Sequence, residues 1–112
     1  MIAYDLRPEG VLVVAVEEKR LDAGKAPAFK EGIAQCIEAG HTRLVLDLSR
    51  VEFIDSSGLG AIVSCLKRLG PRGSLAVAGA QGPVMRLFTL TRMDRVFPLE
   101  ETADAAVARL TA

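Results

Sequence analysis

Arg43-Leu44-Val45-Leu46-Asp47-Leu48-Ser49, followed by Phe53-Ile54-Asp55-Ser56-Ser57-Gly58-Leu59-Gly60, is the stretch whose reading decides the fold. Its first half places Leu44, Leu46 and Leu48 at alternate positions, the period of a strand, here Arg43 to Leu48. Ser49 to Ile54 reads as a loop. From about Ser57 to Leu69 the period changes: Leu59, Ile62, Val63, Leu66 and Leu69 form one helical stripe, and Gly70-Pro71 stops it. A buried strand therefore runs through a short loop into an amphipathic helix.

The same unit recurs on either side. Upstream, a helix is expected over about Pro27 to Ala39, with Pro near its first turn and Gly40 just past its end. Phe29, Ile33, Cys36 and Ile37 share its apolar face. Before it, Val11 to Val16 is an unbroken β-branched run, the pattern of a strand buried on both faces and hence central. Ile2 to Leu6 is a weaker strand, joined to it through Pro8-Glu9-Gly10. Downstream, Ser74 to Ala78 is a further strand. Pro83 then opens a helix carrying Val84, Leu87, Phe88 and Thr91 on one side, and a last helix, about Thr102 to Leu110, turns Ala103, Ala106, Val107 and Leu110 inward. The order β-β-α-β-α-β-α-α predicts an α/β sandwich: a mixed sheet of four to five strands covered by about four helices, with right-handed crossovers making the later strands parallel.

At 112 residues the chain is one domain, residues 1–112, and with 50% hydrophobic residues it can bury a core. Aromatic residues are only 4% and Trp is absent, so that core is aliphatic. Fourteen Lys plus Arg against 14 Asp plus Glu argue against dedicated nucleic-acid binding, which depends on a basic surface. The longest apolar run, Val11 to Val16, falls far below the roughly 20 residues of a membrane span, so no direct membrane insertion is expected. The N-terminal residues carry no signal-peptide pattern. Cys36, Cys65 and the single His41 form no metal-ligand pattern, and two buried thiols in a reducing cytoplasm are the expected reading. No cofactor is implied for this chain.

Chemistry concentrates where the quoted strand and helix meet. In open α/β sheets ligands gather at the carboxyl ends of strands. Here Asp55, Ser56 and Ser57 lie among the unpaired N–H groups at the positive end of a helix, a place that tolerates phosphate. Asp and Ser are also good helix caps anywhere, and that plainer reading of Asp55 and Ser56 stands beside the functional one. Enzymatic readings fail. Gly58-Leu59-Gly60-Ala61-Ile62-Val63 has Val where a dinucleotide fingerprint has its third Gly, and no phosphate-loop Lys follows. A serine nucleophile needs a base nearby, yet His41 precedes the strand whose far end carries Ser56, about 20 Å away. There is no G-x-S-x-G elbow. From Lys67 to Arg95, Lys67, Arg68, Arg72, Arg86, Arg92 and Arg95 stand against Asp94 alone, which reads as a solvated surface or as a surface steering an acidic partner.

The two quoted runs, together with Leu21-Asp22 followed by Ala26-Pro27-Ala28-Phe29, strongly resemble the anti-sigma factor antagonists of the STAS-domain family, in order and spacing over nearly the whole chain. The family's usual Gly two residues before the Leu-Asp pair is Lys19 here. The resemblance implies a STAS-like sandwich and a cytoplasmic, monomeric partner-switching regulator that is not itself an enzyme. Unphosphorylated, such an antagonist binds an anti-sigma factor that is also a serine kinase of the histidine-kinase ATPase type, and the sigma factor is freed. The kinase then phosphorylates the first serine of the motif, here Ser56, and a manganese- or magnesium-dependent serine phosphatase resets it. ATP and metal belong to those partners. The partner-binding residues carried over are Asp22, Asp55, Ser56, Ser57, Gly58, Leu59 and Gly60. The same fold also admits a STAS subunit of a lipid-transport ATP-binding cassette complex, or a regulator of a non-sigma signalling output. The intact Asp55-Ser56-Ser57-Gly58 favours the phosphoswitch.

Overall fold

The computed structural model describes residues 1–112. A mixed five-stranded sheet has the spatial order β1-β2-β4-β6-β7, formed by β1 (Ile2–Leu6), β2 (Leu12–Val16), β4 (Arg43–Asp47), β6 (Ser74–Ala78) and β7 (Leu99–Glu100). β1 runs antiparallel to β2; each later neighbour is parallel to the one before. β3 (Arg20–Leu21) and β5 (Phe53–Ile54) make a second, two-stranded parallel sheet. The helices are α1 (Ala26–Glu38), α2 (Ser56–Leu69), α3 (Pro83–Leu90) and α4 (Ala103–Thr111), with a short 3-10 turn at Met93–Arg95.

β2 is interior, as its unbroken apolar run requires, and its alternation feeds two cores. Leu12, Val14 and Val16 join Leu44, Leu46, Leu75 and Val77 beneath α1, α2 and α3. On the other face Val11, Val13, Val45, Ala76 and Ala78 meet Ala106 and Val107 of α4. Large side chains thus face the three-helix side and small ones the single-helix side, where α4 covers β4, β6 and β7. Phe88 of α3 stacks edge-on against Phe97, with ring centroids 6.1 Å apart, and ties α3 to the segment leading into β7. No helix is long and apolar enough to cross a membrane.

Several boundaries differ from the sequence reading. The expected loop Ser49 to Ile54 contains β5, and α2 begins at Ser56, one residue early, because Asp55 takes the capping position. Thr91, expected on the inner side of α3, is exposed; its hydroxyl instead donates to the Leu87 carbonyl at 2.6 Å, closing the helix end. Leu66 is half-buried, whereas Ile62 at 0% exposure and Cys65 at 5% form the floor of the α2 contact. His41 is half-buried, and its backbone N–H donates to the Cys36 carbonyl at 3.2 Å.

Candidate functional site

The site is built by the small sheet. Arg20 pairs with Phe53 and Leu21 with Ile54, so the next residues on the two strands, Asp22 and Asp55, emerge side by side at the carboxyl end. Leu21 and Ile54 are buried anchors in the main core. Outside them the Arg20 guanidinium lies over the Phe53 ring, 4.1 Å from its centroid. Desolvation is slight there, so this stacking is worth about 0.5–1 kcal/mol. The Lys19 carbonyl accepts the Glu52 and Phe53 N–H groups at 2.7 and 3.1 Å. Position 19 therefore works through its backbone, and the side chain that departs from the family's Gly is exposed and uninvolved.

Asp55 holds the junction together. Its backbone is extended, and Oδ1 accepts from the Gly58 N–H at 2.9 Å, capping α2. Oδ2 accepts from the Ala23 N–H at 3.2 Å, tying the loop before α1 to the start of α2 across 32 residues of sequence. Asp22 is engaged separately: its Oδ2 accepts from Arg20 Nε at 3.2 Å, while its carbonyl accepts the Lys25 and Ala26 N–H groups that lead into α1. The Arg20 hydrogen bond, helped by the backbone N–H groups of Lys25 and Gly24, holds the Asp22 carboxyl below its ordinary range against a small desolvation penalty. Two adjacent carboxylates coexist because each has its own donors.

Gly58 is a steric necessity. A Cβ at that position would lie 2.1 Å from the Leu21 carbonyl oxygen, so only glycine lets the first turn of α2 sit against the end of β3. Gly60 meets nothing within 4 Å and opens instead onto a groove between α1 and α2 of about 830 Å³.

The structure thus brings Asp22, Asp55, Ser56 and Ser57 to one corner. Ser56, Ser57 and Gly60 are exposed, and Asp22 and Asp55 are half-buried. Gly58 and Leu59 are buried, Leu59 at 8% exposure, and shape the surface without forming it. Because Asp55 is the cap, Ser56 occupies the first position of α2 with its hydroxyl free of capping duty. His41 lies before the other end of β4, remote from this corner. Arg20 and Phe53 escaped the sequence reading. The signal was present as an echo, Arg20-Leu21-Asp22 against Phe53-Ile54-Asp55, each an apolar residue leading into Asp.

A fold of this topology with a capped, serine-bearing helix start defines a class. The STAS domain family model matches residues 6–106, and the chain belongs to the STAS-domain family. Among curated relatives, it is 32% identical over 103 residues to an anti-sigma F factor antagonist from Paenibacillus polymyxa, covering 90% of this chain and 87% of that one. It is 30% identical over 98 residues to the anti-sigma-F factor antagonist RsfB of Mycobacterium tuberculosis, covering 88% and 80%. The crystal structure of an anti-sigma factor antagonist from Mycobacterium paratuberculosis superposes with a TM-score of 0.90 at 33% identity, over 100% of this chain and 94% of that one.

Proposed function

We propose that this chain is an anti-sigma factor antagonist switched by phosphorylation of Ser56. In its unphosphorylated form the corner made by Asp22, Asp55, Ser56 and Ser57, with Gly60 beside it, docks on an anti-sigma factor that is also a serine kinase of the histidine-kinase ATPase type, and the sigma factor is released. The kinase transfers the γ-phosphoryl group of ATP to Ser56 Oγ, giving ADP and a proton. A metal-dependent serine phosphatase hydrolyses the phosphoserine and restores the binding form. The chain is substrate and ligand in this cycle, and it works in the cytoplasm with its partners.

The observation that carries this reading is the division of labour at the start of α2: Asp55 does the capping, and the Ser56 hydroxyl is exposed and spare. Phosphate adds about −1.5 to −2 charges there. The helix N-terminus offsets part of this by about 0.3–1 kcal/mol at an exposed site, while Asp55 and Asp22 oppose it. In water the balance leaves the domain folded. Under a docked partner the dianion loses its hydration beside fixed carboxylates, a cost the interface must bear. The modification therefore weakens binding and spares the fold.

Incubation with the cognate kinase and ATP, followed by mass-spectrometric mapping, tests the acceptor. Phosphate on Ser56 is expected; phosphate mainly on Ser57, the next residue along α2, contradicts the assignment.

A further inference from the structure

β1 is an edge strand, and its outer side is unguarded. Met1 O accepts from Glu17 N and Arg7 N donates to Val11 O, so the odd-numbered residues of β1 turn their backbone groups toward β2. Ile2, Tyr4 and Leu6 consequently point their N–H and C=O groups outward, where no strand pairs with them. Such edges are usually blunted by Lys, Pro or a bulge. Here the outward positions are apolar, and Tyr4 and Leu6 are 52% and 60% exposed.

The side chains of Ile2, Tyr4 and Leu6 lie on the α1 side of the sheet, opposite Val16, Val14 and Leu12. Between β1 and α1 they leave two hollows, of about 280 Å³ and 260 Å³, both bordered by Tyr4 and Gly32. Gly32 lets the Ile2 and Tyr4 side chains lie close against α1: a Cβ there would stand 3.0 Å from Ile2 Cδ1 and 3.2 Å from the Tyr4 hydroxyl. The structure therefore presents a row of unpaired backbone groups beside apolar space open to a neighbour.

The geometry points to a second copy of this chain as the occupant, its β1 pairing antiparallel with the first β1 about a two-fold axis through Tyr4. The sequence is self-complementary in that register. Tyr4 faces Tyr4, Ile2 faces Leu6, and every outward N–H and C=O of the three residues finds a partner. The second copy's Leu6 then stands beside Ile2, which lines the larger hollow. Asp5 falls opposite Ala3, so the carboxylates do not meet. Arg7 falls opposite the second copy's Met1, two cations each neutralised within its own chain, by Asp5 and Asp104 and by Glu18. Sliding the pairing by two residues to centre it on Asp5 would oppose two carboxylates and lose hydrogen bonds. The result is one continuous sheet and an isologous contact. Its small area makes it a weak, concentration-dependent dimer. The proposal departs from the monomer expected from sequence, and it does not rest on Ser56, which lies on α2 and not on β1.

Sedimentation of the purified chain over a concentration series tests it. The mass is expected to rise toward that of the dimer by about 1 mM. Tyr4→Lys and Tyr4→Glu each place like charges face to face on the axis and should weaken association at least tenfold, with thermal melts confirming folded protein. An equimolar mixture of the two should associate again, because Lys then faces Glu. Leu6→Lys, at a more exposed position, serves as a second edge variant should position 4 prove necessary for folding. A wild-type chain still monomeric at about 1 mM overturns the proposal, as do edge variants that associate like wild type or a mixture that fails to recover.

Discussion

Helix α2 carries two regions with opposite physical characters. Along its inner side Leu59, Ile62 and Cys65 are buried in the main core, and Cys65 has its thiol pushed up to about 11, chiefly by desolvation. At its first turn, a few residues away, Ser56 and Ser57 are exposed and only Asp55 and Gly58 are fixed by contacts. A substitution on the inner side acts on the whole domain. A substitution at the tip acts on what the surface can bind. The difference teaches that a phosphorylation switch needs an acceptor adjacent to rigid structure but not itself part of it.

The largest effect should come from the inner side. Ile62→Ala removes a fully buried side chain and should cost about 2–5 kcal/mol. Each kcal/mol lowers the melting temperature of a domain this size by about 4–8 °C, readable by calorimetry. Leu66→Ala, at a half-buried position of the same helix, should cost clearly less. Gly58→Ala comes next, because the new methyl collides with the Leu21 backbone oxygen and must push β3 from α2. Overpacking of this kind costs about 1–3 kcal/mol, and amide exchange should quicken around residues 20–23 and 53–58.

These elements were unequally legible in the sequence. β2, β4 and β6 announce themselves by apolar runs long enough to show a period, and α1 and α2 by stripes with Pro or Gly at their ends. β3, β5 and β7 have two residues each and so no measurable period; they exist because register neighbours hold them. At the site, Asp55 was recognisable as a possible cap, since its type and position suffice for that. Its second bond, to Ala23, depends on β3 and β5 being paired and could not be read locally. Gly58 fell inside the expected helix and in the motif carried over by resemblance, but its steric necessity comes from the Leu21 carbonyl, distant in sequence. Long-range proximity is what local pattern does not encode.

Smaller effects sharpen the contrast at the tip. Asp55→Ala removes the cap and the tie to Ala23, so it should cost about 0.5–2 kcal/mol and loosen the loop before α1, seen as faster exchange of the Ala23 amide. Ser56→Ala, with no capping bond to lose, should stay within about 0.5 kcal/mol of wild type, bind the kinase partner and resist release by ATP. If its melt instead falls as far as that of Asp55→Ala, the separation between cap and acceptor is wrong.

The smallest effect is in acid. Asp22 has its carboxyl held low in the folded state by Arg20, so the folded state binds its proton less readily than the unfolded chain. That contribution is present above the ordinary carboxylate range near pH 4 and disappears as pH falls through the lower folded value. Because Asp22 is solvent-accessible, Asp22→Asn should only slightly flatten the acid limb of a stability-versus-pH curve. A steeper acid limb in the variant would contradict the Arg20–Asp22 assignment.

The central claim is that phosphate on Ser56 disables the surface and spares the fold. Its most direct test is a pair of measurements on the same phosphorylated protein: affinity for the anti-sigma kinase by titration, and melting temperature, each against the unmodified chain. Ser56→Asp, with about one charge where phosphate places up to two, should fall between them in affinity. The account predicts that the phosphorylated chain loses at least tenfold in affinity while melting within a few degrees of the unmodified one. Undiminished affinity, or a loss of binding that merely follows unfolding, would contradict it.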